Sequence, residues 1–459
     1  MGEQNTALRI ETLRMWNFRC FRKMEEPMVF EPDLTVVVAK NGCGKTAVLD
    51  AIRISLGTFT KGLNSVSQAG IRWQDASLTT LRAGQGKGAN YPVFIRVEGM
   101  VDSRNCKWER MRGSFEGRTT TKDVQVISDY GMRLHKCVVS DGCENPELPI
   151  LAFYGTGRLW KGSSERVSER LQDKPGTAYE SCFAGYEDAL TTNSIYAQVK
   201  QWMADADLCR NNPAEQETKL GRSTAAQFAA VERAVNKILR DTGFRRPHYN
   251  TRYKEMALIE DRQGNNEAIA VPISWTSDGV KAAFSLVADI AYRCARLNPS
   301  FGVNACERTQ GIVMIDEVDL FLHPKWQQRI LKDLHDIFPR IQFIVTTHSP
   351  QVVSSVETRC LRIIADDGQI RSATGWTEGV ESSRILEDVF GTKPYPEEND
   401  WRKMLNRYIQ DVYAGKWDDP DVRRLGENLH AKFAGMDANF DTARLHAENE
   451  EWERDHASN

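Results

Sequence analysis

Gly311-Ile312-Val313-Met314-Ile315-Asp316-Glu317 is the stretch that decides the fold. Its four consecutive apolar residues, Ile312 to Ile315, read as a strand covered on both faces, as in a parallel sheet with helices above and below. Asp316 and Glu317 follow at the strand's C-terminal end, the edge where open α/β sheets place their ligands. A metal near Asp316 and a water polarised by Glu317 suit hydrolysis of a nucleoside triphosphate. Taken alone, the same residues also describe a strand that ends in a solvated acidic turn. Their company favours the chemical reading. Upstream stands Asn41-Gly42-Cys43-Gly44-Lys45-Thr46, and downstream the apolar run Ile341-Gln342-Phe343-Ile344-Val345 leads into Thr346-Thr347-His348-Ser349-Pro350. Three strand-to-loop junctions thus carry Lys, Asp/Glu and His, in that order.

The upstream junction has its own logic. Leu34-Thr35-Val36-Val37-Val38 is a β-branched, continuous run, and it delivers the chain into Ala39-Lys40-Asn41-Gly42-Cys43-Gly44-Lys45-Thr46. Ala47 to Ile54 then shows apolar residues at helical spacing with no breaker. Strand, glycine loop, Lys-Thr and helix together form a phosphate loop. Backbone N–H groups and a free helix N-terminus present positive charge to phosphates. Lys45 reaches the outer phosphates, and the Thr46 hydroxyl is a ligand for Mg2+. Ala39 stands where G-x-x-x-x-G-K-[ST] has its first glycine, and alanine resists positive φ, so the entry to the loop is expected to differ slightly.

Composition sets the outer bounds. The 459 residues exceed one compact domain, so two or three units are expected. A formal net charge of −3 with 27% charged residues does not advertise a nucleic-acid binder, so any such surface must be a local patch. Arg9, Arg14, Arg19, Arg22 and Lys23, interleaved with Trp16, Phe18 and Phe21, are one candidate; a solvated face beside a core strand explains them as well. Ten cysteines without a C-x-x-C pair or a neighbouring His cluster argue against zinc and for unpaired thiols in a reducing cytoplasm. No signal pattern and no apolar run of membrane-spanning length is seen, so a cytoplasmic protein without membrane contact is expected.

Along the chain, Leu8 to Phe21 alternates as an edge or half-buried strand would, and Tyr91 to Val101 with Lys107 to Met111 suggests an antiparallel layer. Asp129 to Val139 reads as a short helix. Leu148 to Tyr154 is a further apolar strand, ending in Gly155-Thr156-Gly157-Arg158. Helical segments Ile195 to Leu208 and Ala225 to Leu239 belong to an insertion. Glu255 to Glu260 and Ala268 to Ile273 form a hairpin. Ser277-Asp278-Gly279 opens the helix Val280 to Leu297, as an N-cap or as a donor-rich surface for a phosphate of another molecule. Leu361 to Gln369 closes as a hairpin, and the remainder is helical, with Trp401 to Tyr413 and Val422 to Phe433 as segments.

In these residues the chain resembles the ABC-like ATPase heads of the SMC, RecF and OLD type. The likeness rests on Asn17-Phe18-Arg19-Cys20-Phe21, Asn41-Gly42-Cys43-Gly44-Lys45-Thr46 and Ser277-Asp278-Gly279. It continues through Ile315-Asp316-Glu317, Leu322-His323-Pro324 and Thr347-His348-Ser349-Pro350. It implies an α/β fold: an ABC-type P-loop NTPase head, a mixed sheet with an antiparallel layer, carrying a helical insertion and a helical C-terminal tail. The implied parts are an N-terminal lobe over 1–159, the insertion over 160–245, a C-terminal lobe over 246–395 and the tail over 396–459. By the resemblance, ATP is held by residues Asn41 to Thr46 and Arg19, and Mg2+ by Thr46 and Asp316. Glu317 is the catalytic base, His348 contacts the γ-phosphate, Asp319 lies in the D-loop, and Ser277 to Gly279 complete the site of a second protomer. No glutamine stands at the Q-loop position; Tyr154 to Arg158 takes its place.

Three shorter features resemble the PtuA ATPases of Septu-type and retron-associated antiphage systems. They are Tyr154-Gly155-Thr156-Gly157-Arg158-Leu159, Ala184 to Leu190, and Arg384-Ile385-Leu386 with Phe390-Gly391-Thr392. This implies a homodimer or higher homo-oligomer working with a separate HNH nuclease of the PtuB kind, with nucleic acid engaged through the complex. The alternatives are an OLD- or RecF-like DNA-processing ATPase and a slowly hydrolysing, ATP-gated scaffold. An OLD enzyme needs a Toprim domain, for which Asp366-Asp367 is the single candidate. An SMC-type chain needs long heptad coiled coils between Asn41 and Ser277, which the insertion is too short and too broken to supply.

Overall fold

The computed structural model describes residues 8–63, 70–80, 87–120, 122–139, 146–158, 182–191, 196–261, 268–373, 375–396 and 398–456. Leu159 and most of the 160–195 stretch lie outside them. The chain divides into two compact units, Met1–Ile385 and Leu386–Asn459.

The first unit opens with an antiparallel layer. β1 (Leu8–Phe18), β2 (Phe21–Lys23) and β3 (Met28–Val29) lead to the β-branched β4 (Leu34–Ala39), which feeds α1 (Lys45–Gly62). A small hairpin, β5 (Leu78–Thr80) with β6 (Lys87–Ala89), precedes β7 (Val93–Val101) and β8 (Arg104–Arg112). The antiparallel order is β2-β1-β7-β8, with β3 also on β1. β1 is half-buried as its alternation implies, but it sits inside this sheet and not at its edge. α2 (Gln125–Val139) then packs on α1, where Gly62 and Gly131 let the two backbones meet. β9 (Ile150–Tyr154) follows, fully buried.

The helical region holds α3 (Tyr196–Asn211), the single turn α4 (Pro213–Gln216) and α5 (Lys219–Ile238), started by the caps Asn212 and Thr218. β10 (Phe244–Asn250), β11 (Glu255–Glu260) and β12 (Ile269–Pro272) make an antiparallel sheet, as the hairpin reading requires. α6 (Asp278–Leu297) begins at the Ser277 cap. After the turn α7 (Ala305–Arg308) comes β13 (Gly311–Ile315), every residue of it buried. α8 (Pro324–Gln327), α9 (Ile330–Ile337), β14 (Ile341–Thr346), α10 (Pro350–Val353), β15 (Leu361–Ile364) and β16 (Ile370–Ser372) complete the unit.

The main sheet runs β16-β15-β4-β14-β13-β9, parallel from β15 to β9 with β16 antiparallel at one edge. Register aligns Ile315 with both Val345 and Tyr154, and Thr346 with Val37. The ends of β4, β14, β13 and β9 therefore share one edge, and that edge is where the three junctions emerge. The polar Gln342 in β14 ties the two sheets together: its amide donates to Ile10 O at 2.7 Å and accepts from Ile10 N at 2.9 Å, where β1 is bulged. A buried amide so paired carries no desolvation debt.

The second unit holds α11 (Ser382–Asp388, spanning its start), α12 (Asp400–Asp411), α13 (Pro420–Phe433) and α14 (Ala438–His456). Leu405, Tyr408, Val412, Val422, Leu429, Phe440 and Ala443 form its own core. No helix among the described residues is long and apolar enough to cross a membrane. The expectation of wholly unpaired cysteines fails at Cys137, which is disulfide-bonded; Cys20, Cys43, Cys106, Cys182, Cys209, Cys294, Cys306 and Cys360 are free.

Candidate functional site

The site is assembled where β4, β13 and β14 end. Gly42 (φ 81°) and Gly44 (φ 107°) hold the left-handed conformations that turn the loop after β4. A Cβ on Gly44 would lie 2.3 Å from Cys20 Sγ and 2.8 Å from the Phe21 ring, so the β1–β2 turn packs directly beneath the loop. Gly44 also stands at the α1 N-terminus, whose first N–H groups have no partner inside the helix and can face an anion. Lys45 is buried, and its Nζ donates to Ala39 O at 3.1 Å. Burial holds its ammonium below the ordinary lysine range, against the raising influence of Asp316 and Glu317.

Asp316 is the hub. Thr46 Oγ1 donates to its Oδ2 at 2.9 Å, and Thr346 Oγ1 donates to its Oδ1 at 2.6 Å. One buried carboxylate thus joins the end of β13 to the end of β14 and the start of α1. Thr346 Oγ1 also accepts the Glu317 N–H at 2.8 Å, and Thr346 O accepts Val318 N–H at 2.9 Å. These bonds hold Glu317 at φ 49°, a conformation that a non-glycine residue adopts only when its surroundings over-determine it. Beyond it, Asp319 accepts from Thr347 Oγ1 at 2.5 Å, and Ser349, the α10 cap, donates to Gln327 Oε1 at 2.7 Å. His348 lies within the electrostatic reach of Lys45, Glu317, Asp319 and Asp316. Burial first, then the Lys45 ammonium, hold its imidazole below the ordinary histidine range.

The remaining sequence-predicted residues fall as follows. Arg19 (φ 51°) sits in the β1–β2 turn and pairs with Asp50 of α1 at 2.6 Å and Asp75 at 3.0 Å; burial works against its charge and the two carboxylates outweigh it, raising its pKa. Asn41 and Cys43 belong to the loop, where Cys43 O lies 3.5 Å from Cys20 Sγ. Of the N-terminal basic-aromatic cluster, Phe18 and Phe21 are core, and Arg9 pairs with Glu11. Ser277 caps α6 through Val280 N, Asp278 pairs with Lys281, and a Cβ on Gly279 would come 3.1 Å from Phe321 O in the loop after Glu317. The Ser277–Gly279 turn thus rests on its own chain's loop after Glu317. Sequence reasoning assigned no role to Thr346, Asp289 or Arg293. The last two, i and i+4 in the apolar middle of α6, are a charge pair that periodicity could have flagged.

Thr46 and Asp316 are hard oxygen donors side by side, which suits Mg2+. A buried lysine among helix N–H groups suits phosphate. The fold and the site define a P-loop ATPase. A family model described as "AAA domain, putative AbiEii toxin, Type IV TA system" matches residues 161–354, and a second, "AAA domain", matches residues 12–240. Homologues of the chain are the retron probable ATPases and Septu PtuA. The retron Ec83 probable ATPase of Escherichia coli is 26% identical, over 98% of this chain and 88% of its own length. The Septu protein PtuA of Bacillus thuringiensis is 35% identical over 18% of this chain and 22% of its own. Among solved structures, an SMC head bound to the C-winged helix domain of ScpA covers 79% of this chain and 97% of its own, with 13% identity and a TM-score of 0.45.

Proposed function

We propose that this ATPase closes into a dimer on ATP and Mg2+ and thereby controls a separate HNH nuclease in defence against phage. The carrying observation is the Thr46–Asp316–Thr346 chain, which joins phosphate loop, acidic strand and His-bearing loop at one edge. Lys45 and the first N–H groups of α1 hold the β- and γ-phosphates, and Asn41 to Gly44 wrap them. Thr46 and Asp316 hold Mg2+, which when bound offsets the charge on the phosphate oxygens. Glu317 takes the proton of the attacking water, and His348, neutral near pH 7, contacts the γ-phosphate. Arg19 acts from beneath the loop through Asp50. Ser277, Asp278 and Gly279 complete the site of a second copy, with Asp319 beside them, which makes two composite sites in a head-to-tail pair. The defence assignment draws on the retron and Septu relatives.

The test is single-turnover ATP hydrolysis beside equilibrium ATP binding. Glu317→Gln should keep its affinity and lose roughly 100-fold or more in rate, and Lys45→Ala should lose binding. Equal rates for Glu317→Gln and the parent would remove Glu317 as the base.

A further inference from the structure

Among the buried charges of the first unit that the hydrolytic site does not use, one set touches the acidic strand's neighbour. Tyr154 closes β9 beside the acidic strand, and its carbonyl accepts the Asp316 N–H at 2.8 Å. Its hydroxyl, buried, donates to Asp289 Oδ2 at 2.6 Å. Arg293, 3% exposed, donates to the same oxygen from Nε at 3.1 Å and from NH1 to the carbonyls of Gly185 at 2.9 Å and Glu187 at 3.0 Å. Asp289 and Arg293 both belong to α6, the helix that Ser277 starts.

The segment they grip is held from two other sides. Phe153 N–H reaches Ala189 O at 2.8 Å, and Tyr186 OH reaches Pro149 O at 2.6 Å. Arg53 of α1 reaches Leu190 O at 3.2 Å while pairing with Asp50 at 2.6 Å, the same Asp50 that holds Arg19. A continuous polar path therefore runs from the phosphate-loop helix through residues 185–190 to Arg293, Asp289, Tyr154 and Asp316.

We infer that Asp289 and Arg293 are positioning residues, which couple the signature helix and the 185–190 segment to the placement of Tyr154 and hence of Asp316. Three facts support a positioning role over plain support. A buried ion pair gives little net stability compared with apolar residues of like volume, and its clearest use is to specify an arrangement. Tyr154, at the end of β9, is bonded to α6 by its side chain and to Asp316 by its carbonyl. And Asp289 Oδ1 has no hydrogen-bond partner among the described residues, so the carboxylate has an acceptor free to take a second donor. The tyrosine hydroxyl, kept protonated by burial and by Asp289, remains a donor throughout.

The inference rests on the ATPase reading, and its test separates the two. In the full chain, Tyr154→Phe removes one oxygen without changing shape. It should leave the ATP dissociation constant within about twofold and lower kcat by about tenfold or more. A second variant, Asp289→Leu with Arg293→Met, removes the pair. It leaves the Tyr154 hydroxyl and the Gly185 and Glu187 carbonyls unpaired, so its thermal midpoint should fall. An ATP dissociation constant within about twofold of the parent's shows the site still folded while kcat falls as for Tyr154→Phe. Arg293→Lys, which keeps the charge but not the planar fork, should restore only part of the rate lost. Parent-like kcat in Tyr154→Phe and in the apolar pair would overturn the coupling and leave the ATPase reading intact. A parent that hydrolyses no ATP would overturn both.

Discussion

His348 shows how a single residue reports the charge state of the site. Burial and Lys45 depress its pKa below the ordinary histidine value of 6.5, so just below that pH the folded chain holds fewer protons there than the unfolded chain. The sign follows: stability rises with pH between the depressed value and 6.5, and below that window the cost is fully present. His348→Gln should flatten this rise; denaturant unfolding of parent and variant from about pH 5 to 8 reads it. Parallel curves would place the titration elsewhere. At this scale Lys45, Thr46, Asp316 and His348 were legible in the sequence because each follows a strand with a loop of distinctive composition. Thr346 was not, because Asp316 and Glu317 are distant in the chain, and Asp289 with Arg293 shows only as an i, i+4 pair whose other partners, Tyr154, Gly185 and Glu187, lie far away. Thr346 reads as the last residue of a strand until Asp316 and Glu317 N–H are found on its hydroxyl.

Elements meet here through glycines whose space is already occupied. A Cβ on Gly311 (φ 139°) would lie 2.0 Å from Ile150 O, so β13 can lie on β9 in register only without one. Gly311→Ala should cost roughly 1–3 kcal/mol, seen as a lower denaturant midpoint at unchanged slope. Gly44→Ala meets both a left-handed φ and the Cys20 thiol. It should abolish ATP binding, and adding Cys20→Gly should not restore it, because the left-handed backbone and the Phe21 ring still exclude a Cβ. Recovery in the double variant would make the clash the whole cause. The strands β4, β13 and β14 were readable as apolar runs with fixed exits, whereas β1 was not readable as interior. Its neighbour β7 lies far along the chain, and pairing of that kind leaves no local periodicity. Gln342 looked like a blemish in β14 and proves to join the two sheets.

For the whole molecule, the exposed α6 start is the feature with most to explain. Trp275, 68% exposed, stands two residues before Ser277, and Phe321, also exposed, stands in the loop against Gly279. In the dimer proposed above, a second copy would cover both. Glu317→Gln with ATP and Mg2+ should therefore sediment at twice the monomer mass, and Ser277→Arg in that background should remain a monomer; an ATP-independent mass would remove the gating. The second unit poses a different problem, since its seven-residue core is complete within itself. Removing it at Asn399 takes away the whole of that core and none of the strands that carry the ATP site. The shortened chain should keep ATP turnover within about twofold of the parent, because Thr46 of α1, Tyr154 of β9 and Thr346 of β14, which bond Asp316, all lie in the first unit. If the HNH protein is held by the charged, aromatic helices α12 to α14, co-purification of the two should be lost at the same time. Retained binding would assign the partner to the first unit, and nuclease activity in this chain alone would end the division of labour between two polypeptides.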